Sequence, residues 1–198
     1  MTTRRCPRTH RRAGFTLAEM MTSLTILGVV MGAVTGTVVS AQRSYVRQRE
    51  TVRAQEAQRA AQITLATVLR SAGADPLQRG IAKLDPDPMG AGSFTSVRVV
   101  SDFNPADGDV ADPLEDALFH ISHDTLFVRW QAGHAAQPLA FPMRNLRFEY
   151  YANDGTRYTV ASQVVGATRV KFTLEAPRVP GSGAMERIET WVYLRNRR

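Results

Sequence analysis

Residues 11–39 read RRAGFTLAEMMTSLTILGVVMGAVTGTVV. From Met20 to Val39 they contain no charge. Twenty helical residues at about 1.5 Å each cross a hydrocarbon core of roughly 30 Å. No other stretch of the 198-residue chain is as long and apolar, so the sequence predicts one membrane span. Residues 1–14 hold Arg4, Arg5, Arg8, Arg11 and Arg12 and no acid. Basic flanks stay on the cytoplasmic side, which predicts an N-in, C-out topology with everything after Val39 across the membrane. Glu19 breaks the pattern: it is the only charge between residues 15 and 40, at the entrance of the apolar run, where a carboxylate is costly unless paired.

Two ordinary explanations leave Glu19 unexplained. A cleaved secretory signal has a small-residue site at Val39-Ser40-Ala41 to recommend it, with a mature chain starting at Gln42, but its apolar region should be about 7–15 residues long. A plain signal anchor accounts for length and flanking charge only. The order of basic leader, Gly14, Phe15, Leu17, Glu19 and apolar run instead resembles the processing site of type IV prepilins and pseudopilins. The resemblance implies that a prepilin peptidase cuts between Gly14 and Phe15 and methylates the new amine of Phe15. It also implies that Glu19 is an assembly residue, neutralising the Phe15 amine of a neighbouring subunit where water is scarce.

Charge location supports a leader. The formal net charge is +7 and the pI about 10.3, values that suggest a nucleic-acid or anionic-surface binder until the charges are placed. Residues 74–198 are nearly neutral, with 14 basic and 15 acidic groups, whereas residues 41–73 carry six Arg against Glu50 and Glu56. Removing residues 1–14 takes the side-chain charge from +7 to +2 and removes Cys6, the sole cysteine. A single cysteine excludes an intrachain disulfide. A hydrophobic content of 43% and 22% charged residues exclude a disordered chain, and one span excludes a polytopic protein.

Within the span Gly28, Gly32, Gly36 and Ser40 recur at every fourth position. They line one helical face and permit close approach of neighbouring helices. Residues 41–72 contain no Pro or Gly and end at Ser71-Ala72-Gly73-Ala74-Asp75-Pro76, a glycine-then-proline stop. Ala54, Ala57, Ala61, Leu65, Val68 and Ala72 give this segment an apolar stripe at three- and four-residue steps. The expected organisation is therefore a leader (1–14), a transmembrane or filament-core helix (15–40), its amphipathic continuation (41–73) and an outward-facing domain (74–198).

That domain reads as β-rich. Strand-like runs occupy Ser96–Ser101, Ala117–Ser122, Thr125–Trp130, Asn145–Tyr151, Thr156–Val160, Thr168–Glu175 and Arg187–Leu194. His123-Asp124 and Asn153-Asp154-Gly155 mark hairpins. The fold class is α+β: one long helix, then an antiparallel meander covering its stripe. The resemblance to pilins implies the same layout. Segments Ser101–Asp109, Glu115–Ile121 and Leu146–Tyr151 further resemble PilW-type minor pilins and J-type pseudopilins, which implies a place at or near a filament tip and a role in priming assembly.

Other chemistry is sparse. Asp102, Asp107, Asp109, Asp112, Glu115 and Asp116 fall within fifteen residues that hold no Lys or Arg, a density of hard oxygen ligands that suits calcium. Asp102, Asn104, Asp107 and Asp109 are the candidate ligands. Their spacing departs from an EF-hand, since Asp107 falls at the sixth position and Pro113 at the twelfth, and a solvated Asx-turn loop is the alternative. His10, His120, His123 and His134 have no spaced acid or nucleophile, and no catalytic motif is present; the chain is not expected to be an enzyme, and no cofactor other than calcium is suggested. Arg43, Arg47, Arg49 and Arg53 suit lipid headgroups or acidic neighbours. Nucleic acid enters only through a DNA-uptake pilus, since Tyr45 alone offers an aromatic platform nearby. The partners implied by the resemblance are the prepilin peptidase, other pilin or pseudopilin subunits, an inner-membrane assembly platform and the lipid bilayer. The implied location is the bacterial inner membrane, then a pilus or pseudopilus.

Overall fold

The computed structural model describes residues 14–80, 83–90, 92–102, 106–112, 114–178 and 183–194. The chain divides into two compact units between Val46 and Arg47. Helix α1 (Leu17–Ser71) contributes to both. In the first unit its residues are exposed on every side.

In the second unit α1 has one buried face, made by Ala54, Gln58, Ala61, Leu65, Ala66 and Leu69. Ala72 continues it just past the helix end. This is the expected stripe, with Ala57 and Val68 at its half-buried margin. The helix stops where the sequence places the stop. Gly73 takes φ +85°, a left-handed conformation that only glycine adopts without penalty. The Ala74 amide then bonds the Ser71 carbonyl at 2.9 Å.

Five strands follow in one antiparallel sheet, paired in chain order: β1 (Lys83–Asp85), β2 (Val97–Val100), β3 (Asp116–Ser122), β4 (Thr125–Arg129) and β5 (Gln137–Ala140). A second sheet holds β6 (Asn145–Tyr151), β7 (Arg157–Tyr158), β8 (Arg169–Pro177) and β9 (Met185–Tyr193) in the order β7-β6-β8-β9. The meander expectation holds for the first sheet and fails for the second. Strand β7 is only two residues long, and a 3-10 helix (Ala161–Gly166) follows it. The chain then returns to the other edge of β6, where Asn145–Tyr151 pairs in register with Glu175–Arg169.

Both hairpins form as their turn residues require. His123 and Asp124 have φ of +48° and +57°, the double positive-φ pattern of a type I′ turn. At the β6–β7 turn Gly155 has φ +92° and Asp154 Oδ1 accepts the Thr156 amide at 2.8 Å.

Alternation along each strand supplies the core. Leu146, Phe148 and Tyr150 of β6 lie opposite Leu174, Phe172 and Val170 of β8, all buried. Val97, Val99, Ala117, Phe119, Leu126 and Val128 of the first sheet join the same cluster as Ala61, Leu65, Leu69 and Ala72. The opposite face of the second sheet is charged: Lys171 Nζ lies 2.8 Å from Glu189 and 3.6 Å from Glu149, and Arg157 lies 3.0 Å from Glu149. These pairs are only part-exposed, and the apolar cluster on the other face forms the core of the domain.

Candidate functional site

Gly14 is exposed, and a Cβ added to it would meet nothing within 4 Å. Phe15 and Leu17 are 83% and 80% exposed. Packing within the chain therefore demands nothing of these residues.

Thr16 and Glu19 have a local role that the sequence reading missed. The Thr16 amide and hydroxyl both donate to Glu19 Oε2, at 2.9 and 3.0 Å, and the Glu19 amide donates back to Thr16 Oγ1 at 3.3 Å. This is a capping box, which satisfies two of the orphan donors at a helix start. The Thr-x-x-Glu spacing was legible in Thr16-Leu17-Ala18-Glu19. The bonds to Thr16 use Oε2 and leave Oε1 for a second partner.

Beyond the cap, α1 passes through an 18-residue window of mean hydropathy 1.9, none of it buried. Met20, Met21, Leu24, Ile26, Leu27, Val29, Val30 and Met31 are each more than half exposed. An apolar surface of that extent on all sides of a helix requires lipid or other helices around it. Four of its hydroxyls are already satisfied. The hydroxyls of Thr22, Thr25 and Thr35 donate to the carbonyls of Ala18, Met21 and Met31, one turn back, at 2.8–3.0 Å. Thr37 donates to the Val34 carbonyl at 2.7 Å. Such back-bonding removes the cost of carrying a hydroxyl into hydrocarbon. Gly28, Gly32 and Gly36 are exposed with nothing near their missing Cβ atoms, so the small-residue face stands open. Arg43, Arg47, Arg49 and Arg53 are also exposed.

The acidic loop lies between β2 and β3, away from this segment in the sequence. Of its candidate ligands Asn104 lies outside the described residues. Asp107 and Asp109 come together with Asp112, their nearest carboxylate oxygens within 4.8 Å of one another. Asp112 was counted in the charge of this stretch but not among the ligands. Asp102 is fully buried and its Oδ2 accepts the Gly108 amide at 3.0 Å. Desolvation, then the charges of Asp107, Glu115, Asp109 and Asp102, raise the pKa of Asp112. Asp116 takes no part, since Arg98 holds it through two bonds of 2.7 and 2.8 Å.

Two of the histidines, His120 and His123, have local side-chain neighbours. His120 stacks on Phe127 with centroids 5.7 Å apart, and burial, then the Arg129 charge, lower its pKa. His123 Nδ1 lies 2.9 Å from the Ser122 hydroxyl in the hairpin turn.

Residues 9–35 match the family described as the prokaryotic N-terminal methylation motif, the signature of type IV prepilins and pseudopilins. The match takes in Gly14, Phe15, Thr16, Leu17 and Glu19 and most of the exposed apolar run. A comparison of the chain with characterised proteins found no match. The motif marks structural subunits of filaments rather than enzymes.

Proposed function

We propose that the chain is the precursor of a type IV pilus subunit, cut between Gly14 and Phe15, methylated on the Phe15 amine, and assembled through α1 with Glu19 meeting the amine of a neighbouring subunit. The observation that carries this reading is a coincidence of position. The methylation motif at residues 9–35 falls on a capped helix start whose flanking Gly14, Phe15 and Leu17 are wholly free of packing duties. Prepilin peptidase is then the first partner, and the assembly platform and other pilins follow. The outward domain belongs to a minor subunit near the filament tip, a role supported by the PilW-like segments at Ser101–Asp109, Glu115–Ile121 and Leu146–Tyr151. The motif is shared with type II secretion pseudopilins, and that reading keeps the same processing and the same use of α1.

Gly14→Val tests the processing step. A Cβ at Gly14 has open space around it, so the folded domain should keep its melting temperature. Cleavage, however, requires the peptidase to approach the backbone at that residue. Co-expressed with a prepilin peptidase, the wild-type precursor should shorten by the mass of residues 1–14, and Gly14→Val should remain at full length. Equal shortening of both, or of neither, would overturn the assignment of the cut.

A further inference from the structure

We propose that the cleft between residues 93–95 and the end of β7 binds a sugar carboxylate, with Arg147 and Arg157 on the carboxylate and the neighbouring hydroxyls and Asn145 on the sugar. The cleft encloses about 440 Å³, within the roughly 300–1,000 Å³ of small-molecule pockets. It follows from the shortness of β7. That strand pairs with β6 at Tyr150 and Tyr151 alone. Farther along β6, the Phe148 amide donates instead to the Phe94 carbonyl at 2.8 Å. Residues from all three pieces, the 93–95 segment, β6 and the end of β7, line the cleft.

Its lining carries charge of one sign. Arg147 and Arg157 stand there with Ser93, Thr95, Asn145 and Thr159, and among the described residues no Asp or Glu lines it. Arg147 is exposed and forms no ion pair with any described residue. Arg157 gives Nη2 to Glu149 at 3.0 Å, which leaves the other donors of its planar fork. Two such forks match the geometry of a carboxylate. The hydroxyls of Ser93 and Thr95 lie side by side, 3.4 Å apart. Phe94 between them has φ +52°, an uncommon conformation for a bulky residue. It is held there by its carbonyl bond to β6 and by its ring, edge-on to buried Tyr150 at 5.6 Å, and backbone strain fixed in this way is a mark of ligand-binding segments. A second cavity of about 330 Å³ shares Thr95 and Asn145 with the first and adds Arg144 and His120, again with no acid among its lining residues. The His120 Nδ1 is buried without a hydrogen-bond partner among the described residues, so polar groups continue beyond the first cavity. Three hydroxyls and an amide around two cations suit a polyhydroxylated anion, and Phe94 offers apolar surface to the C–H face of a sugar ring. A bare inorganic anion would leave those hydroxyls unused.

The test titrates the full chain in detergent micelles with D-glucuronate by calorimetry, with D-glucose and sodium sulfate as controls. The wild type should bind glucuronate with a millimolar or tighter Kd and bind glucose and sulfate more weakly. Arg147→Gln removes one guanidinium from an exposed position and should weaken glucuronate binding by about tenfold or more. Arg59→Gln, an equally exposed arginine on α1, should bind as the wild type does, which separates the cleft from general attraction to a basic surface. No binding of millimolar glucuronate, an unchanged Kd in Arg147→Gln, or an equal loss in Arg59→Gln would each overturn the site. Equal affinity for sulfate or for glucose would overturn the sugar carboxylate as its ligand.

Discussion

Glu19→Gln is expected to leave the precursor cut and membrane-inserted, yet to lower its incorporation into filaments by about 100-fold. Glutamine at this position preserves the capping box, because an amide oxygen accepts the Thr16 amide and hydroxyl as the carboxylate does now. It removes the negative charge alone. Once residues 1–14 are gone, Phe15 carries a cationic amine next to an apolar helix. Leaving one partner of such a pair uncompensated in dry surroundings costs about 3–5 kcal/mol, and each 1.4 kcal/mol is about tenfold. Glu19→Ala loses cap and charge together and should assemble no better than Glu19→Gln. The pair of variants separates two roles for one carboxylate. Filaments that accept Glu19→Gln at the wild-type level but reject Glu19→Ala would reduce Glu19 to a helix cap and remove the intersubunit contact from the account.

The second large effect lies in the domain. Phe148→Ala should destabilise it by about 3–5 kcal/mol. The Phe148 ring is fully buried, lies 6.4 Å from both Tyr150 and Phe172, and sits opposite Phe172 in the β6–β8 register. Truncation leaves a void bounded by rigid strands that cannot close over it. For a domain of this size the melting temperature should fall by roughly 10 °C or more. A comparable truncation at Tyr193, which is 64% exposed on edge strand β9, should shift it by only a degree or two. Similar losses at both positions would mean that the β6–β8 face is not the centre of the core.

The parts of this architecture governed by local rules were legible in the sequence. The long apolar helix, the stop at Gly73, the apolar stripe from Ala54 to Ala72 and both hairpins follow from periodicity and turn chemistry within a few residues. Strand β5 escaped notice because Pro138 interrupts it; as an edge strand it tolerates a residue that cannot donate to a ladder. Strand β1, three residues long and followed by Pro86, is too short to show alternation. The division into two sheets was beyond reach for a different reason. Alternation tells which side chains share a face but not which strands are neighbours, and the pairing of β6 with β8 spans the β7 hairpin and the 3-10 helix. The methylation motif at residues 9–35 was legible from the string of residues alone. The acidic loop was only half legible: density of charge was visible, but the separation of Asp116 to Arg98 and the burial of Asp102 depend on tertiary packing.

Whether the chain is processed as a prepilin, as proposed, can be read from the N-terminus of the native protein. Intact-mass and N-terminal analysis of protein purified from membranes or sheared filaments should give a chain of 184 residues beginning at Phe15, heavier by one methyl group than the unmodified sequence. A chain that retains Met1 or Thr2 would make it a membrane anchor that never polymerises. A chain beginning at Gln42 would make it a secreted protein, and either result contradicts the account.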